Sequence, residues 1–146
     1  MDELLPGAMT PQKLVDLAVE AMGHAYCPYS NTKVGAALLT REGRVYQGAN
    51  IENMAYGPTN CAERTAFFKA VYDGVRDFAA IAIVGGKDGV IRGIFPPCGV
   101  CRQVMREFCG PDFKIYLGTA SGYESYTLAD LLPKSFGPDI SPASSV

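Results

Sequence analysis

Ala79-Ala80-Ile81-Ala82-Ile83-Val84, closed by Gly85-Gly86, is an unbroken apolar run of strand length. A strand with no polar alternation is buried on both faces, as a central strand is when helices cover the sheet. Both flanks carry helical patterns that fit this reading. Cys61 to Tyr72 repeats apolar residues at helical spacing and stops near Gly74, while Gly99 to Cys109 predicts a second such helix. Further out, Val34 to Thr40 and Arg44 to Asn50 flank the turn Arg41-Glu42-Gly43 as a hairpin. Phe113 to Leu117 reads as another strand and Tyr123 to Tyr126 as a fifth, at an edge. Thr10 caps a first helix with Pro11 at its first position. Leu14, Leu17, Ala18, Ala21, Met22 and Ala25 form its apolar stripe; Gly23 weakens its end and Pro28 stops it. Thr127 caps a short last helix through Leu132.

The order α-β-β-α-β-α-β-β-α predicts an α/β fold, a mixed five-stranded sheet with helices on both faces. Residues 1–146 read as a single domain, with 1–9 and 139–146 as loose termini. The net charge is −2 and there is no run of lysines or arginines, so the basic face that a nucleic acid partner needs is missing. No apolar stretch approaches the roughly 20 residues that span a bilayer. The five cysteines are an odd number without a secretory signal. That points to a reducing, cytoplasmic setting and to metal or catalytic use over disulfides.

Three of those cysteines stand in Cys61-Ala62-Glu63 and Pro97-Cys98-Gly99-Val100-Cys101. A catalytic zinc takes three protein ligands and keeps one position open, and thiolates suit Zn²⁺. Cys61 and Cys98 each open a predicted helix, where the positive end of the dipole favours a thiolate. Glu63 is not needed as a ligand and is suited to move protons beside a metal that activates water. Without the cysteines it would read as an ordinary first-turn glutamate. Three thiolates weaken the metal as a Lewis acid. Arg64 and Arg102, directly after Glu63 and Cys101, are placed for N–H···S contacts that counter this, or else are solvated helix arginines. A closed structural zinc site would need a fourth ligand from Cys27 or Cys109, which otherwise read as small buried residues. A dithiol redox pair of Cys98 and Cys101 would leave Cys61-Ala62-Glu63 without a role. His24 reads as a helix-end residue.

Cys-x-Glu followed by Cys-x-x-Cys is a pattern of zinc nucleobase deaminases. Other segments extend the likeness: Tyr26-Cys27-Pro28-Tyr29-Ser30, Val34-Gly35-Ala36-Ala37, Gly48-Ala49-Asn50-Ile51-Glu52-Asn53, Cys61-Ala62-Glu63-Arg64-Thr65-Ala66 and Leu131-Leu132-Pro133-Lys134-Ser135-Phe136. In that order the chain resembles the small homotetrameric cytidine deaminases of pyrimidine salvage. The resemblance implies a cytidine-deaminase-like three-layer α/β/α sandwich with one Zn²⁺ per subunit. It also implies hydrolytic conversion of cytidine and 2′-deoxycytidine to uridine and 2′-deoxyuridine, with ammonia released.

Residue by residue, the resemblance makes Cys61, Cys98 and Cys101 the metal ligands, Glu63 the acid and base, and Arg64 a hydrogen-bond donor to the sulfurs. It assigns Asn50 and Glu52 to the ribose 3′-hydroxyl; two apart on a strand, they would point the same way. The Ala62 backbone would read the pyrimidine carbonyl. Phe136 and Tyr56 would reach across subunit boundaries, so that a homotetramer shares its sites. Thr32 departs from the pattern, standing where many relatives carry a phenylalanine against the base. That implies either weaker stacking, by about 1–3 kcal/mol, or a pocket open to substituted cytosines. Deaminases of nucleoside antibiotics of the blasticidin type share the Cys-Ala-Glu pattern and are the alternative.

Overall fold

The computed structural model describes residues 3–140. Helices α1 (Pro11–Met22), α2 (Ala62–Tyr72), α3 (Gly99–Phe108) and α4 (Leu128–Leu131) surround five strands. These are β1 (Thr32–Thr40), β2 (Val45–Ala49), β3 (Phe78–Lys87), β4 (Lys114–Gly118) and β5 (Tyr123–Thr127). The sheet runs β2-β1-β3-β4-β5. Only β3 and β4 pair in parallel, because α3 carries the chain back between them. The sheet is therefore mixed, as the sequence pattern predicts.

The apolar run in β3 is central for the expected reason. Ile81 and Ile83 face one core with Phe67, Met105, Ile115 and Leu117; Ala80, Ala82 and Val84 face another with Leu14, Val15, Ala18 and Met22. Helices thus cover both faces, α1 on one and α2, α3 and α4 on the other. Each large aliphatic chain so buried stabilises the fold by about 1.5–3 kcal/mol. The α1 face is lined with small residues because the helix lies close. A Cβ on Gly35 of β1 would stand 2.0 Å from the Ala18 carbonyl oxygen.

The caps also agree with the sequence. Thr10 Oγ1 accepts from the Lys13 N–H at 3.2 Å with Pro11 next in line, and Thr127 with Asp130 closes a reciprocal capping box. The first helix ends at Met22, short of Ala25, once Gly23 has capped it.

The loose leader is corrected for residues 3–9. Leu5 is buried against α1 and a 3₁₀ turn spans Pro6–Ala8. Glu3 accepts a hydrogen bond from the buried Tyr116 hydroxyl at 2.9 Å. One buried leucine and one satisfied phenol pin the segment without any periodic pattern. Residues 1–2 and 141–146, included in the expected loose ends, lie outside the described residues. Among the described residues no helix is long and apolar enough to cross a membrane.

Candidate active site

Two helix starts meet at the site. Cys61 is the N-cap of α2, and Cys98 is the N-cap of α3 with Cys101 in the first turn. The Cys98 sulfur accepts from the Cys101 N–H at 3.4 Å. Gly48 of β2 sets how closely α2 can approach. A Cβ there would stand 2.3 Å from the Ala62 carbonyl oxygen and 2.6 Å from the Ala66 nitrogen. The bare backbone lets the helix carrying Cys61 and Glu63 lie directly on the strand.

The three sulfurs converge. Cys61 and Cys98 are 3.8 Å apart, Cys98 and Cys101 are 3.5 Å apart, and all three lie within 4.8 Å of one another. Tetrahedral zinc with Zn–S of about 2.3 Å holds its sulfurs about 3.8 Å apart, so this donor set fits the ion. Cys27 and Cys109 are buried elsewhere and do not join the cluster, which leaves three candidate ligands, not four, among the described residues. Burial pushes the Cys109 thiol well up, as for an inert core residue. At Cys61 the Cys101 thiol, and after it the Arg64 guanidinium, bring the pKa down to about 5 against the opposing effect of burial. The same Cys101–Cys61 bond, with burial, pushes Cys101 up. The shift at Cys61 is toward the thiolate, the form of cysteine that binds metal.

Glu63 is buried, and its Oε1 has no hydrogen-bond partner among the described residues. Burial first, and then the Cys61 charge, raise its carboxyl to about 7. An unpartnered buried carboxyl oxygen is costly in free energy, and where one persists it commonly serves a function. A group at pH 7 that can both take and give a proton is what acid–base catalysis uses. Arg64 Nη2 donates to the Cys61 sulfur at 3.3 Å.

Arg102 meets neither expectation. It is half-buried, and among the described residues its hydrogen bonds go to carbonyls and not to a sulfur. Its Nε donates to the Pro97 carbonyl at 2.8 Å and its Nη1 to the Leu131 carbonyl at 2.7 Å. It therefore straps the Cys98 loop to the end of α4, a positioning contact that the sequence did not suggest.

The remaining residues lie beside this centre. β2 ends at Ala49, and the segment beyond it pairs with the residue before Cys61: the N–H groups of Ile51 and Asn60 each donate to the other's carbonyl at 2.9 Å. Asn50 is buried; its Oδ1 accepts from the Val34 N–H and its Nδ2 donates to the Thr32 carbonyl. Glu52 turns to the loop before β1 and helps line a cleft of about 380 Å³ with Tyr29, Ser30, Tyr56 and Thr59. Ala62 is fully buried in the first turn of α2, where N–H groups have no partner within the helix. The rings of Tyr56 and Phe136 are 74% and 81% exposed. Phe136 is held through its carbonyl, which accepts from Gln103 Nε2 of α3 at 3.0 Å.

Comparison with known proteins agrees with this geometry. Residues 9–117 match the family model "Cytidine and deoxycytidylate deaminase zinc-binding region". The cytidine deaminase of Sporosarcina psychrophila is 51% identical over 129 residues, 88% of this chain and 92% of the relative. That of Mycobacterium tuberculosis is 40% identical over 122 residues, 84% and 86% of the two chains. The crystal structure of cytidine deaminase from Burkholderia pseudomallei superposes with a TM-score of 0.82 at 46% identity, covering 88% of this chain and all of that one. A convergent Cys₃ cluster, the carboxylate beside it and these matches together place the chain in the cytidine and deoxycytidylate deaminase family.

Proposed function

We propose that the chain catalyses the hydrolytic deamination of cytidine and 2′-deoxycytidine, releasing ammonia, and that it serves pyrimidine salvage in the cytoplasm. The observation that carries this is the unpartnered, buried Glu63 Oε1 beside three sulfurs at zinc-ligand spacing. Cys61, Cys98 and Cys101 would hold Zn²⁺, which when bound supplies the Lewis acid that makes water a nucleophile at neutral pH. Glu63 takes a proton from the attacking water and gives it to ring nitrogen 3. It then takes the remaining proton from the hydroxyl now on carbon 4 and passes it to the amino group, so that the carbonyl forms, the bond from carbon 4 to nitrogen breaks and ammonia leaves. Arg64 draws negative charge from the Cys61 sulfur and so keeps the ligand set from becoming too electron-rich.

The Ala62 backbone meets the pyrimidine carbonyl, and Asn50 and Glu52 meet the ribose 3′-hydroxyl. Tyr56 and Phe136 belong to sites shared between subunits of a homotetramer; their exposure in a single chain supports that reading. Thr32, at the start of β1, leaves room beside the base, which favours substituted cytosine nucleosides as a second substrate class. Thr32→Phe would then narrow the range.

The test is the fall in ultraviolet absorbance of cytidine and deoxycytidine, with ammonia measured alongside, before and after a chelator. Turnover lost to the chelator and restored by Zn²⁺ is expected. Zinc-loaded protein that releases no ammonia from either nucleoside would end the proposal.

A further inference from the structure

Two sets of hydrogen bonds, joined through the Thr32 backbone, form a chain along the entry to β1. Glu52 Oε1 accepts from the Tyr29 N–H at 3.0 Å and the Ser30 N–H at 3.1 Å. Ser30 Oγ donates to Glu52 Oε2 and accepts from the Thr32 N–H at 3.0 Å. The Thr32 carbonyl accepts from Asn50 Nδ2 at 2.8 Å, and Asn50 Oδ1 accepts from the Val34 N–H at 2.9 Å.

The direction of this chain follows from donor counts. A serine hydroxyl has one proton and two lone pairs. The Thr32 N–H occupies a lone pair, so the single proton of Ser30 goes to Glu52. A carboxylate has about four acceptor sites; Tyr29 and Ser30 fill three of them. What is left is acceptor capacity on Oε2, on the wall of the cleft shared with Tyr56 and Thr59. The Ser30 hydroxyl is also the foremost reason that the Glu52 carboxyl lies below its usual range.

We propose that Ser30 is a positioning residue for the sugar, orienting Glu52 so that its free Oε2 acceptor meets a sugar hydroxyl and tying it through the Thr32 backbone to Asn50. This rests on the proposed contact of Glu52 with the ribose 3′-hydroxyl. No motif flags Ser30 for the role, because a serine in a Pro-Tyr-Ser turn reads as ordinary loop chemistry.

The test compares wild type, Ser30→Ala and Ser30→Thr on cytidine and 3′-deoxycytidine, with zinc content and melting temperature recorded for each. Losing one hydrogen bond to a charged group corresponds to roughly tenfold or more in binding. Ser30→Ala is expected to lower kcat/KM for cytidine by about that factor, chiefly through KM. Its effect on 3′-deoxycytidine should stay within about twofold, and Ser30→Thr should restore the cytidine value. Equal losses on both substrates would make Ser30 merely structural and overturn the proposal. Should the alanine variant not fold, Ser30→Cys, similar in size but a weak donor, must give the same cytidine-specific loss. Glu52→Gln separates the two layers of the reading. If it leaves the preference for cytidine over 3′-deoxycytidine intact, the sugar contact itself is wrong and Ser30 falls with it. If it abolishes that preference while Ser30→Ala does not, only the positioning role is overturned.

Discussion

Gly48→Ala adds a single methyl group in β2, in contact with no ligand, and should still disable the site. The added Cβ would lie 2.3 Å from the Ala62 carbonyl oxygen, 2.6 Å from the Ala66 nitrogen and 3.1 Å from the Ala66 Cβ. Two of these neighbours are backbone, so no side chain can rotate aside. Restoring ordinary contact near 3.4 Å requires α2 to retreat by about 1 Å, the difference between 3.4 and 2.3. Cys61 caps that helix and Glu63 stands in its first turn, so both move with it. A misplacement of about 1 Å costs on the order of 100-fold in rate, and overpacking costs about 1–3 kcal/mol in stability. Steady-state deamination, bound zinc and thermal melting measured together should all fall. Gly93→Ala is the control, because nothing lies within 4 Å of its added Cβ. Wild-type rate, zinc content and melting temperature in Gly48→Ala would refute the claim that close helix–strand approach sets the site.

Glu63→Gln should keep its zinc and lose about 10²–10⁴ of turnover; substantial deamination by a zinc-loaded variant would remove Glu63 from the chemistry. The same substitution has a pH signature in protein stripped of metal. The Glu63 carboxyl is raised to about 7 in the fold from 4.5, so the native state holds the proton more tightly. Its contribution is present in full below 4.5 and is lost as pH rises through 7, on the order of 3 kcal/mol in all. Denaturant melts of wild type between pH 4 and 8 should therefore lose stability that Glu63→Gln retains; parallel curves would contradict the burial. Deleting residues 1–9 removes the buried Leu5 and leaves the Tyr116 hydroxyl without Glu3, for about 3–5 kcal/mol in the same melts; an unchanged midpoint would mean that the segment is idle. Phe136→Ala should cut kcat/KM by about 10-fold or more if its ring stacks on the base. Mixing Phe136→Ala with Glu63→Gln subunits should then raise activity above either alone, by pairing intact halves, whereas no gain after subunit exchange would mean that each site is built within one chain.

The parts legible in the sequence are those governed by a period or a fixed spacing. β3 was readable because a strand buried on both faces has no polar positions to hide, and Cys98 with Cys101 because their spacing places both at one helix start. Cys61 is 37 residues from Cys98 along the chain. It joins them because α2 and α3 flank β3 in sequence and pack on the same face of the sheet. Polar contacts made between irregular segments were not legible. Ser30 and Glu52 are 22 residues apart, and Arg102 is 29 from Leu131. In the sequence Arg102 reads as a sulfur donor or a solvated residue. A third option prevailed, because the last carbonyls of a helix lack partners within it and a guanidinium with five donors can serve them. Leu5 is not legible for a related reason: a single apolar residue gives no period, yet it is buried with Leu14 and Ala18 of α1.

The same geometry also resolves an electrostatic difficulty. Three thiolates around Zn²⁺ leave a formal charge of about −1, which would weaken the ion as an acid toward water. Two helices, of 11 and 10 residues, begin at Cys61 and Cys98. Each brings roughly half a positive charge to its N-terminus, about +1 together. Arg64 adds a full charge at 3.3 Å from one sulfur. About half of the compensation therefore comes from backbone that also positions the ligands, so α2 cannot move without losing ligand geometry and charge balance together. The bare Gly48 backbone beneath α2 would thus affect how acidic a bound ion is as well as how its ligands are placed, although no side chain at that position reaches the site.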